Sequence, residues 1–179
     1  EAARGYPSVE DLWMPGTFEV EFSEGESVIL SVSTLRTLGK DLERKFEKEL
    51  ASRPPRIDFE TTLKAAAGQF IANRGRSIWI NAGYPWFGRW GRDTMISLPG
   101  LTLSFGDYES FRTIFMGLLR EARDGFLPNM GGINNSSYNS VDAPLWAMYA
   151  LHQFYLQDHD AFMQFYAKAK IGGFMRDVM

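Results

Sequence analysis

The sequence predicts a mainly α-helical protein, its helices following one another as hairpins, with a short β-hairpin in front of them. Three observations carry this. Apolar residues recur at helical spacing from about residue 36 to residue 171. Residues 17–33 alternate in places between apolar and polar. Hydrophobic residues make up 45% of the chain and aromatics 15%, enough for a substantial core.

The elements follow in order. Phe18, Val20 and Phe22, then Val28, Ile29, Leu30 and Val32, flank the polar turn Ser23-Glu24-Gly25-Glu26. They read as a hairpin that would need a neighbouring β-structure to be stable. Leu38, Leu42, Phe46 and Leu50 recur every four residues and predict a helix that Arg53-Pro54-Pro55 ends. A second helix is expected near 59–73, with Phe59, Leu63, Ala66, Phe70 and Ile71 on one side. Ser77-Ile78-Trp79-Ile80 reads as a short buried strand or extended segment. A third helix begins at Asp93, with Pro99-Gly100 as a kink or a break. Asp107 caps a fourth helix through Arg123, whose apolar face is Phe111, Ile114, Phe115, Leu118 and Leu119. Gly125 terminates it, and 125–139 form a loop. A fifth helix starts near Ser140 and runs to about Leu156, and a sixth covers roughly Ala161 to Ile171.

Helical hairpins stacked side by side can close into a toroid with their functional loops at one end. The two longest polar loops precede the third and fifth helices. Loops at equivalent points of successive hairpins emerge on one face, which would let residues near 86–93 and 129–142 meet in one cleft.

Composition excludes several classes. The net charge is −3 and the basic residues are dispersed among acids, which argues against a nucleic-acid partner. Without cysteine there is neither a disulfide scaffold nor a cysteine-ligated metal site. No apolar run is long enough to span a bilayer, so no membrane partner is expected. His152 and His159 stand apart from any nucleophile, and Asp158-His159-Asp160 reads as a solvated helix junction. No metal and no cofactor are predicted. Both ends of the chain read as cuts within a longer protein, with 1–35 as the tail of a preceding β-rich domain and 36–179 as the start of a larger helical one.

The run from Ala82 to Thr94 concentrates the chemistry. It holds four aromatics, three glycines, two arginines and one carboxylate. Flat rings suit pyranose faces, a fixed carboxylate suits proton transfer, and a glycine-rich turn can aim both. The residues Ala82-Gly83-Tyr84-Pro85-Trp86-Phe87, Trp90-Gly91-Arg92-Asp93-Thr94 and Leu98-Pro99-Gly100, with Leu127-Pro128-Asn129 and Tyr138-Asn139-Ser140-Val141-Asp142-Ala143-Pro144-Leu145-Trp146, resemble the motifs of the amylo-α-1,6-glucosidase domain of glycogen debranching enzymes. The match spans roughly residues 80–156, with motif order and spacing consistent.

The resemblance implies an (α/α)6 toroid of the six-hairpin glycosidase type, preceded in many members by a β-rich domain. It implies a cytoplasmic enzyme of glycogen catabolism that hydrolyses α-1,6-linked glucosyl stubs by inversion, with an α-glucan as partner. The other toroid glycosidases, trehalase-like or oligosaccharide glucosidase-like, and a non-catalytic carbohydrate-binding helical domain remain alternatives.

By residue pattern alone Asp93 reads as a helix cap; with the resemblance it is the general acid, and an aromatic setting of Trp86, Phe87 and Trp90 favours the neutral form that donation requires. Arg92 either holds a sugar hydroxyl or forms a structural ion pair. Of Trp86 and Trp90, one is expected to face sugar and the other to pack. Arg89 reads as a surface or loop-stapling residue. Asp142 is either a first-turn acid or, following the resemblance, a ligand for glucose hydroxyls. Asn129 and Asn139 are weaker ligands, and Trp146, one turn beyond Asp142, walls the cleft or joins the core. An inverting glycosidase needs a second carboxylate about 6.5–9.5 Å from the first. No position matches the family's general base, so the isolated chain is expected to be inactive, and to self-associate through the apolar face that missing helices would cover.

Overall fold

The computed structural model of the chain describes residues 2–9, 11–32, 41–75, 77–84, 87–130, 136–169 and 171–179. These form two compact units, residues 1–53 and 54–179. Among the described residues the protein is mainly helical, with one two-stranded sheet.

The first unit opens with a single 3-10 turn, Ala2–Arg4, and ends in helix α1, Leu42–Ser52. The turn expected at 23–26 is formed: Glu26 N donates to the Ser23 carbonyl at 3.1 Å, and Ser23 N donates to the Glu26 carboxylate at 2.8 Å. The flanking strands are not. Residues 11–32 pair with no neighbouring strand, and Phe18, Val20, Phe22, Val28 and Leu30 are all exposed. The physical reason is that a lone hairpin cannot sustain itself without an apolar surface to pack against. Helix α1 starts at Leu42 behind Asp41, and the expected first stripe residue, Leu38, lies outside the described residues. Its C-terminus is where the two prolines require it, with Arg53 already extended.

The second unit begins with α2, Phe59–Phe70. Asp58 accepts from Thr61 N at 2.8 Å while Asp58 N donates to the Thr61 hydroxyl at 3.1 Å, a reciprocal cap. The helix stops three residues short of the expected end. Ile71–Arg74 forms strand β1 and pairs antiparallel with β2, Ser77–Ile80, in the register Ile71↔Ile80 and Arg74↔Ser77. Gly75, at φ 63°, supplies the left-handed residue that so tight a connection needs. Here β-branched residues and a turn glycine override the helical spacing of Phe70 and Ile71. The side predicted for α2 is largely exposed, and Ala65 and Ala67 are buried instead.

Helix α3 spans Gly91–Leu101 and carries Pro99 without a break. Proline lacks only one donor there, and the Thr102 N to Leu98 carbonyl bond closes the last turn at 3.1 Å. A 3-10 turn, Leu103–Phe105, leads to α4, Tyr108–Leu119, capped as expected by Asp107, which accepts from Ser110 N at 3.0 Å. Helix α4 ends four residues earlier than predicted. Arg123 and Phe126 instead exchange backbone hydrogen bonds of 3.0 and 2.8 Å around Asp124 and Gly125, at φ 49° and 78°. Helix α5 covers Ala143–Gln157, the expected sixth helix is α6, His159–Ala169, and a further helix, α7, Ile171–Val178, follows it.

The core sits where α3, α4, α5 and α6 meet. Ala143, Ala147 and Ala150 of α5 are fully buried, as are Met95 and Leu98 of α3; small residues let the two helices approach closely. Phe111, Phe115, Phe154 and Phe165 form a ring cluster, with Phe111 and Phe154 edge to face at 4.9 Å. Ile80 of β2 closes one side of this core. No helix among the described residues is long and apolar enough to cross a membrane.

Candidate active site

The two motif loops meet at the N-terminus of α3. Gly91 N donates to the Asn129 carbonyl at 2.9 Å, Asn129 N donates to Ser137 O at 2.7 Å, and Ser137 N donates to Met130 O at 2.8 Å. Trp90 and Met130 form a further antiparallel bridge. The approach is close because residue 91 has no side chain: a Cβ there would stand 2.0 Å from the Pro128 carbonyl oxygen. The first loop is closed on itself by Ala82 N to Gly88 O, 2.8 Å, and Phe87 N to Gly83 O, 2.9 Å.

Asp93 lies in the first turn of α3 and does not cap it. The helix begins two residues earlier than expected, Trp90 holds the cap position, and no side chain caps the end. One Asp93 carboxylate oxygen, Oδ2, is buried without a hydrogen-bond partner among the described residues. The side chain opens onto a cleft of about 310 Å³ that Phe70, Ile80, Ala82, Ile96 and Leu101 make mostly apolar. The apolar lining of this cleft comes from α2, β2 and α3 itself, with Ala82 of the first loop. Phe87 and Trp90, expected in that role, do not line the cleft, and Trp86 lies outside the described residues. Trp90 is half-buried, packs edge to face on Phe87 at 6.1 Å, and joins the bridge to Met130.

Arg92 and Asp142 come together across the two loops. Arg92 Nη1 stands 3.9 Å from Asp142 Oδ2, and both side chains are 48% exposed. That separation is an ion pair beyond hydrogen-bond length, so donors and acceptor stay available to a third group. Ser140, expected to cap α5, is buried and donates its hydroxyl to Asp142 Oδ1 at 2.5 Å. Asp142 takes the cap position, without a side-chain cap bond. The Ser140 hydroxyl, first, and then the charge of Arg92 and the Trp146 side chain hold the Asp142 carboxyl below its ordinary range. It is kept ionised.

Asn129 Nδ2 donates to Asn139 Oδ1 at 3.1 Å, and Asn129 Oδ1 is buried and unpartnered among the described residues, as is the hydroxyl of Thr94. Trp146 is half-buried, packs against the core and meets Tyr149 edge to face at 5.7 Å. None of Arg92, Asn129, Asn139 or Asp142 lines the cleft onto which Asp93 opens. Arg92 with Asp142, and Asn129 with Asn139, thus pair outside the cleft that Asp93 lines. Among the described residues no three His, Cys, Asp or Glu side chains group as metal ligands.

Sequence reading missed Glu121, whose carboxylate takes both terminal nitrogens of Arg89 at 2.7 Å. Arg89 is indeed a loop staple. Its partner is 32 residues away in sequence, a spacing with no local signature. Ser140 was legible in principle, since serine two residues before an aspartate can form a local turn bond.

A family model described as amylo-alpha-1,6-glucosidase matches residues 65–177, well over half of the chain. The matched span runs from α2 into α7 and contains both loops and every site residue named above.

Proposed function

Since this chain belongs to the amylo-alpha-1,6-glucosidase family, we propose that it is part of the glucan-cleaving domain of a debranching glycoside hydrolase and that its two motif loops form the half of the site that grips the terminal glucose. The single observation that carries this reading is the joining of those loops at Gly91 and Asn129, which sets Arg92 opposite Asp142. An ionised carboxylate beside a planar guanidinium suits the alternating donors and acceptors of a sugar ring.

In this reading Asp93 is the general acid that protonates the leaving oxygen of an α-1,6 linkage, and inversion requires a second carboxylate that activates water on the opposite face. Asp142 is a poor acid because its neighbours keep it charged, so it serves binding. In the same reading residues 36–179 contribute to an (α/α)6 toroid whose other helices supply the general base, and residues 1–35 link it to a β-rich domain. The same reading takes the cytoplasm as the site of action and glycogen or a limit dextrin as partner.

Calorimetric titration of the chain with an α-1,6-branched limit dextrin tests the reading. Arg92→Ala and Asp142→Asn are expected to weaken binding about tenfold or more, the value of a charge-assisted hydrogen bond. Asp93→Asn should bind and release no glucose. Absence of dextrin binding by the unaltered chain overturns the sugar reading. Glucose release by the unaltered chain that Asp93→Asn abolishes overturns the missing base.

A further inference from the structure

The turn after α4 holds both motif loops, and nothing in the sugar chemistry above uses it. Glu121 contributes through two different groups. Its carboxylate accepts from Arg89 Nη1 and Nη2, each at 2.7 Å, in a parallel fork. Its backbone carbonyl accepts from the Tyr138 hydroxyl at 2.7 Å. Arg89 belongs to the loop before α3, and Tyr138 to the loop before α5. The Arg89 and Glu121 side chains are only 23% and 24% exposed, so water competes poorly for the pair. Two residues on, the Arg123 guanidinium covers the Tyr138 ring at 5.1 Å. The segment is itself closed by the paired backbone bonds of Arg123 and Phe126 around a two-residue turn.

We infer that Glu121 is a positioning residue that locks the two motif loops in register, so that Arg92 and Asp142 face each other. The hydrogen bonds of Glu121 run to Arg89 and Tyr138, neither of them a proposed sugar ligand. It acts through Arg89 on one loop and through Tyr138 on the other, from a turn anchored by α4 in the core. As a statement about loop register the inference is independent of substrate; as one about glucose binding it rests on the reading above.

Amide hydrogen exchange of the whole chain tests it. Three amides report the junction, those of Gly91, Asn129 and Ser137, and the amides of α5 report the core. Glu121→Gln keeps the size of the side chain and removes the charge. It is expected to speed exchange at all three junction amides about tenfold while leaving α5 unchanged, the loss of a charge-assisted fork. The reversed pair, Arg89→Glu with Glu121→Arg, is expected to restore most of the protection. Should Glu121→Gln also loosen α5, Tyr138→Phe carries the test, since it removes one hydroxyl and should speed Asn129 and Ser137. Unchanged junction exchange in Glu121→Gln, or a reversed pair that restores nothing, overturns the inference. Dextrin titration of the same samples separates the two ideas: an unaltered chain that binds no dextrin sinks the sugar reading and leaves the exchange result standing.

Discussion

At Gly91 one missing side chain decides whether two loops can meet. A Cβ there would collide with the Pro128 carbonyl at 2.0 Å, whereas a Cβ on Gly88 would meet nothing within 4 Å. Gly91→Ala is therefore expected to destabilise the protein by about 1–3 kcal/mol through overpacking, and Gly88→Ala to change little; urea denaturation of the two variants makes the comparison. Asp142 is the second decisive residue. Its folded carboxyl sits below the ordinary value of 3.8 because Ser140, and then Arg92, favour the anion. A carboxyl lowered on folding stabilises the native state above its unfolded value, and that contribution is lost as pH falls through the lower folded value. Ser140→Ala should move the Asp142 midpoint upward toward 3.8, read by carboxyl carbon NMR, and shift the acid loss of stability to higher pH. A midpoint that does not move would show that the serine bond is absent in solution.

Elements hold for reasons that differ along the chain. Helix α2 has an exposed apolar side and depends on its cap. Asp58→Ala is expected to speed exchange of the Thr61 amide, and Asp58→Asn, which can still accept that bond, to preserve it. Helix α5 depends on burial. Phe154 is fully buried among Phe111, Phe162 and Phe165, and Tyr108 stacks on it at 5.3 Å. Phe154→Ala should cost about 3–5 kcal/mol in urea denaturation, the range for deleting a buried ring. Helix α4 was legible because its apolar residues recur at the helical period behind the Asp107 cap, whereas α5, apolar all round, starts three residues later than expected, behind Asp142 in place of Ser140. Of the hairpin at 71–80, the second strand, Ser77–Ile80, was legible and the first was not: Ile71 continues the spacing of α2, and only the β-branched residues around Gly75 mark the change of period. The reverse error, strands over 17–32, came from alternation with no surface to pack against.

For the whole molecule, α5 is apolar around its circumference, and Leu145, Tyr149 and Leu156 form an exposed stripe opposite its buried alanines. Helices of that composition are ordinarily covered on every side. The self-association we propose is expected as concentration-dependent mass in light scattering, reduced by Leu145→Glu with Leu156→Glu; a monomer at every concentration would count against it. The sequence by itself determined the helical class, the family motifs, the Asp107 cap and the apolar face of α4. Each of these is local, written in side-chain period, in turn residues or in a contiguous motif. Tertiary structure alone decided which groups face one another. It set Arg92 against Asp142 and Arg89 against Glu121, freed Asp93 from the cap, and gave its carboxylate an apolar cleft built from α2, β2 and α3. Those pairings join residues tens of positions apart, and their existence depends on how helices pack, a sum of many weak contacts that no short stretch of sequence contains.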